Sequence, residues 1–300
     1  MKMKMNLQVR LSQFLEASGY SQVAVGKAIG MTSAVISAYL RGKYTGDVAK
    51  LERKLEAFLT LEENRRNERK LNIDYVRTKS GKRVADILRL AHADGQAVVV
   101  IGQAGLGKTS ALRDYAVRNP DVVLIEADPT FTAKVLLKRV AEKLGCDSKG
   151  NLNDVMESIV DKLTDSGRLI AVDEAESLPY RALECLRRIH DKAEVGLALV
   201  GMPRLLVNLR GKRGEFKQLY SRIGFKLDLG TELSDEELTE IVVKNLPEAD
   251  DETIAELVVA ANGNTRRLVK MLHGVSRMAK IAGETANAEM VKQFKEMLIH

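Results

Sequence analysis

The stretch that most constrains this chain is AVVVIGQAGLGKTSALRDYAVRN, residues 97–119. It opens on β-branched residues, passes through a glycine-rich turn and continues as helical sequence. Gly102, Gly107, Lys108 and Thr109 satisfy G-x-x-x-x-G-K-[ST], here in the strand-to-helix context that this pattern needs in order to bind phosphate. The glycines let backbone N–H groups approach an anion, and the start of the following helix adds its positive end. The expected nucleotide-binding segment is therefore Gly102, Gln103, Ala104, Gly105, Leu106, Gly107, Lys108, Thr109 and Ser110. Lys108 would reach the β- and γ-phosphates of ATP, and the Thr109 hydroxyl would ligate Mg2+. The alternative is a glycine turn that binds nothing.

Four short apolar runs set the fold class: AVVVIG (97–102), VVLIEA (122–127), RLIAVDE (168–174) and GLALVG (196–201), each separated from the next by helical sequence. Continuous apolar strands are buried on both faces, which implies a parallel sheet between helices and an α/β P-loop core. Beyond about residue 231 the strands are expected to stop. Ser234 and Glu237 form a capping box, and helical stretches follow at 251–261, 265–282 and 286–298. The first 60 residues read as four or five short helices broken at Gly19, Gly30 and RGKYTGD, and 61–83 is a charged, apolar-poor segment. The expected organisation is a helical domain at 1–60, a charged linker or exposed helix at 61–83, the α/β core at 84–230 and a C-terminal helical lid domain at 231–300.

The net charge of +6 is unevenly spread: residues 1–85 carry 17 Lys/Arg against 8 Asp/Glu, a balance of +9, leaving about −3 for the rest. A basic N-terminal third suggests a polyanion partner, most simply nucleic acid, with a solvated lysine-rich surface as the alternative. No apolar run approaches the ~20 residues of a membrane span, and the basic opening lacks the apolar stretch of a secretory signal. Cys146 and Cys185 have no metal-ligand spacing, which suits ordinary thiols in a reducing cytoplasm, here that of a bacterial host.

RLIAVDEA supplies a second half to the phosphate site. Asp173, ending an apolar strand, suits Mg2+ binding, and Glu174 is placed to polarise an attacking water as general base. Two arginines are further candidates. Arg222, in LYSRIG about twenty residues after the fourth apolar run, could stabilise transferring phosphate, or could be a surface or ion-paired residue. Arg266, next to Arg267 in GNTRRLVKML, opens a helix from which it can reach back to the phosphates, or could face DNA or solvent.

SQVAVGKAIGMTSAVISAYLRGKYTGD (21–47) fits a helix-turn-helix, with Val25, Ile29 and Ile36 at core spacing, Gly26 at a close helix approach and Gly30 in the turn. Thr32, Ser33, Ser37, Arg41 and Lys43 would then face double-stranded DNA. Short hydroxyls and lysines favour phosphate contacts over base reading, so weak sequence preference is expected. A protein-docking helical module is the alternative. Lys134, Lys138 and Arg139, after the second apolar run, are further DNA candidates or a solvated helix face.

Taken together, the phosphate loop, VDEA at 172–175, SRI at 221–223 and GNTRRL resemble an AAA+ ATPase of the initiator-like branch. With the N-terminal helical domain and GLALVGMPRL, the whole chain resembles the Mu B family of target-DNA activators. The resemblance implies ATP-dependent filaments on DNA, little sequence preference, and delivery of that DNA to a DDE-type transposase that stimulates hydrolysis. In ring-forming relatives, an arginine at the position of Arg222 acts on a neighbouring subunit's nucleotide. One departure stands out: a polar residue is expected after the fourth strand, where Met202 and Pro203 follow Gly201. A helicase loader or replication initiator, and an ATP-switched transcriptional regulator, are the competing readings.

Overall fold

The computed structural model describes residues 7–67, 73–148, 150–211 and 217–298, and divides into two compact units, residues 1–70 and 71–300.

The first unit contains α1 (Leu7–Ser18), α2 (Gln22–Ile29), α3 (Ser33–Leu40) and α4 (Val48–Asn67). Ser21 caps α2 by accepting from the Ala24 N–H, and Thr32 caps α3 by accepting from the Val35 N–H. Gly30 ends α2 in the left-handed region, and the two eight-residue helices meet at 111°. They can approach so closely because residue 26 is glycine: a Cβ there would lie 2.9 Å from the Met31 carbonyl oxygen. Leu11, Phe14, Val25, Ile36, Leu51 and Leu55 fill the core of this unit. In the charged stretch after residue 60, α4 continues to Asn67.

The second unit is built on a five-stranded, wholly parallel sheet: β1 (Ala97–Ile101), β2 (Val122–Glu126), β3 (Leu169–Asp173), β4 (Gly196–Gly201) and β5 (Ile223–Asp228), in the order β2-β3-β4-β1-β5. Residues of β1 alternate between two apolar layers. Val99 and Ile101 pack toward α7 (Ala133–Leu144), α8 (Leu152–Leu163) and α9 (Tyr180–Ala193). Val98 and Val100 pack toward α5 (Lys79–Ala93), α6 (Lys108–Arg118) and the C-terminal helices. Those are α12 (Asp235–Asn245), α13 (Asp251–Ala261), α14 (Thr265–Ala282) and α15 (Ala288–Glu296). The short α10 (Arg204–Arg210) and α11 (Lys217–Ser221) join β4 to β5.

Two features depart from the sequence reading. The start at residue 84 falls inside α5, whose cap is Thr78 and whose Val84, Leu88 and Ala91 are buried in the second unit. The fifth strand was not anticipated. It is an edge strand in which Ile223 and Leu227 are only half-buried and Phe225 is exposed, so it lacks the continuous apolar run of its neighbours.

One carboxylate joins the core to the C-terminal helices. Glu237, on α12, closes the capping box with Ser234 and also accepts hydrogen bonds from the N–H (2.6 Å) and hydroxyl (3.2 Å) of Ser80 at the start of α5. Two helix starts thereby share one buried anion, which complements the positive end of each.

Candidate nucleotide site

The loop leaving β1 and the first turn of α6 line a cleft of about 820 Å³ at the C-terminal end of the sheet. This is the edge at which parallel α/β sheets bind ligands. Ala104, Gly105, Leu106, Gly107, Lys108, Thr109 and Ser110 line it; Gly102 and Gln103 do not, and meet it through Lys108. Both of those carbonyls accept from the Lys108 Nζ, at 2.7 and 2.8 Å. Lys108 is only 9% exposed, and burial pushes its pKa down. Glu176, Asp173 and Glu174, in that order, pull it back up, while Arg266 adds slightly to the lowering.

From the facing strand come the two expected acids. Asp173 ends β3 and is buried, its Oδ1 accepting the Glu174 N–H at 3.0 Å. Glu174 adopts φ 52° and ψ 35°, a conformation uncommon outside glycine. The chain turns sharply there and leaves the Glu174 side chain exposed at the cleft. Such strain gathers where function requires it. Arg266 also lines the cleft. Beside it, the Asn264 amide donates to the Ala104 carbonyl at 3.1 Å, and Thr265 donates to the Gly105 carbonyl through its N–H and its hydroxyl, both at 2.7 Å.

Arg222 lies elsewhere. Ile223, the next residue, pairs with Ala97 at the start of β1, whereas the phosphate loop leaves the end of β1 at Ile101. One strand length, roughly 15 Å, separates them. Its Nε stands 3.3 Å from Asp191 on α9, a carboxylate also bonded to Arg187, and its side chain is 58% exposed.

Residues 91–209 match the AAA domain family. The chain is 30% identical over 224 residues to the Mu-like prophage FluMu DNA transposition protein B of Haemophilus influenzae, covering 73% of this chain and 78% of that protein. The chain belongs to the Mu B family. It is likewise 30% identical over 217 residues to the ATP-dependent target DNA activator B of Escherichia phage Mu, covering 69% of this chain and 67% of that protein. In fold, this Mu B-family chain is similar to the ORC2 protein of Aeropyrum pernix, solved as ADPNP–ADP complexes: the TM-score is 0.57 at 20% identity, over 74% of this chain and 68% of the other.

The residues singled out for DNA in this Mu B-family chain fall on two separate units. Thr32 spends its hydroxyl oxygen on the cap of α3, Ser33 is exposed, and the Ser37 hydroxyl accepts from Arg41 at 2.9 Å; Arg41 and Lys43 are exposed. Lys134 and Lys138 stand four positions apart, exposed on one face of α7, while Arg139 pairs with Glu142 at 3.3 Å. Among the described residues, no single helix is long and apolar enough to cross a membrane.

Among the cleft residues that escaped the sequence reading are Glu176 and Arg204; Arg113, Glu126 and Asp128 are others. Glu176 and Arg204 line it together with Gly201 and Met202.

Proposed function

We propose that this chain is an ATP-dependent, largely sequence-nonspecific DNA-binding ATPase. In this reading it assembles as filaments on double-stranded DNA and delivers that DNA to a DDE-type transposase in the cytoplasm of a bacterial host. The observation that carries the proposal is the meeting of Lys108, Thr109, Asp173 and Glu174 around one cleft in a Mu B-family chain.

The donor set suits ATP with Mg2+. Loop N–H groups and the start of α6 receive the phosphates, and Lys108 supplies the buried cation. Among the described residues no cluster of three His, Cys, Asp or Glu could hold a metal unaided. Mg2+ characteristically binds through one or two carboxylates plus substrate phosphates, and Thr109 with Asp173 offers that arrangement. Bound Mg2+ would neutralise charge developing on the phosphates. The Glu174 carboxylate takes a proton from water as the water attacks the terminal phosphorus, giving ADP and phosphate. Arg222, one strand length from its own subunit's phosphate loop, serves the nucleotide of a neighbour. Arg266, at the start of α14 in the C-terminal lid, contacts the phosphates in cis.

The α2–α3 pair acts as a helix-turn-helix, its 111° crossing being within the range of that motif. With Thr32 and Ser37 already engaged in local bonds, Ser33, Arg41 and Lys43 supply mainly backbone contacts. Lys134 and Lys138 add a second basic contact from the ATPase body.

Negative-stain microscopy with random-sequence duplex DNA tests this. Filaments that require DNA, ATP and Mg2+ together are the expected result. Closed rings would favour a helicase loader or replication initiator, and isolated particles at one site an ATP-switched transcriptional regulator; either would overturn the reading.

A further inference from the structure

Glu176 follows β3 in a single 3-10 turn, Ala175–Ser177. It is only 8% exposed, yet its Oε2 has no hydrogen-bond partner among the described residues. The oxygen lies against the end of β4, in space that is open only because residue 201 is glycine: a Cβ on Gly201 would overlap it. A buried carboxylate with a bare oxygen is costly, so its few partners carry weight. The carbonyl of Glu176 accepts from Asn208 Nδ2 at 2.9 Å, which fastens the turn to α10. Among the described residues the carboxylate makes one ion pair, with Arg204 Nη2 at 3.8 Å from Oε1.

Arg204 is the first residue of α10, where the positive end of a helix disfavours a cation. Helix preference therefore does not explain an arginine there. Its side chain is 64% exposed, and at 3.8 Å its hold on Glu176 is loose. It lines the same cleft as Lys108, Thr109 and Glu174, beside Met202, which offers no polar group of its own. The cleft thus has an exposed, loosely held guanidinium on the wall formed by the end of β4, beside an acid that has one bare oxygen and that also acts on Lys108.

We propose that Arg204 recognises the terminal phosphate of the bound nucleotide within its own subunit, exchanging Glu176 for it. This rests on the nucleotide-hydrolase reading of the cleft. A γ-phosphate carries more charge than a carboxylate and accepts the planar guanidinium fork bidentately, so it outcompetes the 3.8 Å contact. ADP has no such group, and with ADP the guanidinium stays on Glu176. The pair distinguishes the two nucleotides, a task that in this chain cannot fall to a polar side chain at position 202.

Equilibrium binding of AMP-PNP and ADP, each with Mg2+, to the full chain tests the exchange. In Arg204→Ala, AMP-PNP affinity falls by about ten-fold, about 1.4 kcal/mol, with ADP affinity unchanged within about two-fold. Glu176→Gln removes the competing charge and acts in the opposite sense, tightening AMP-PNP binding several-fold relative to ADP, because its loss beside Lys108 acts on both nucleotides alike. Arg204→Gln, which keeps most of the side chain's bulk, is measured alongside, so that a folding failure in one variant leaves the other. A wild-type chain that binds both nucleotides while every variant keeps its AMP-PNP to ADP ratio overturns the exchange alone. So does Glu176→Gln weakening AMP-PNP relative to ADP. A wild-type chain that binds neither nucleotide overturns the hydrolase reading as well.

Discussion

The side-chain amide of Asn264 donates to the carbonyl of Ala104 at 3.1 Å, fastening the residue before α14 to a phosphate loop 160 positions earlier in the chain. The same side chain caps α14 through its Oδ1, which accepts the Arg267 N–H at 3.1 Å. Its contact with Gly105 is so close that a Cβ there would overlap the Asn264 amide. Helix start and phosphate loop are therefore one hydrogen-bonded unit.

Asn264→Asp separates the two roles, because it keeps the capping oxygen and loses the donor to Ala104. It is expected to speed release of a fluorescent ADP by about three- to ten-fold, the equivalent of about one hydrogen bond, with the melting temperature nearly unchanged. Thr265→Val, which removes the hydroxyl bond to Gly105, should act in the same direction. Stopped-flow release rates equal to wild type in both variants would remove the coupling.

Glu174→Gln should retain nucleotide binding and lose about 10²- to 10⁴-fold in hydrolysis, the span of a general base. Arg222→Ala should also bind nucleotide but hydrolyse poorly on DNA. Each variant keeps the group the other lacks, so mixing the two restores part of the activity if Arg222 works across subunits. A mixture no faster than its components would return Arg222 to the role of Asp191's ion-pair partner.

The shared carboxylate of Glu237 makes a prediction about pH. Burial alone would raise its pKa; hydrogen bonds from the Ser80 N–H, the hydroxyls of Thr78 and Ser80 and the Ser234 N–H outweigh it, and the net shift is downward. A depressed folded-state pKa gives stability that is fully present above the unfolded value of about 4.3 and lost as pH falls through the folded value. Glu237→Gln should therefore cost about 2 kcal/mol at neutral pH. The gap from wild type should narrow in denaturant titrations below about pH 4. A gap that stays constant with pH would show that shape, not charge, sets this contact.

Lys134 and Lys138 make no ion pair among the described residues. If both meet DNA phosphates, Lys134→Ala/Lys138→Ala should weaken binding to all duplexes alike and flatten the plot of log affinity against log salt by about 1.8. An unchanged slope would assign them to solvent.

What could be read from the sequence was whatever lies close together along it. Gly102 to Thr109 carry their own context, and Asp173 and Glu174 stand at the end of a short apolar run that reads as a strand. The capping box at Ser234 was legible for the same reason, its two members being three residues apart. Its second client, Ser80, lies 157 positions away and left no local mark. β5 was missed because its six residues, IGFKLD, interrupt the apolar positions with glycine, lysine and aspartate, and Phe225 is exposed. Glu176 read as one more acid in a polar turn; its burial is made by Gly201 and α10, which meet it only after folding.

Arg222 sits at the entry side of the sheet and the phosphate loop at its exit side, a separation with an arithmetical consequence. If the arginine serves a neighbour, a lone subunit is inert and the shortest working array is a pair. An open array of any length then keeps one nucleotide, at one end, that no neighbour's Arg222 reaches. Such an array has a direction and a slow terminus, so the last ATP to be spent is fixed by position and not by chance.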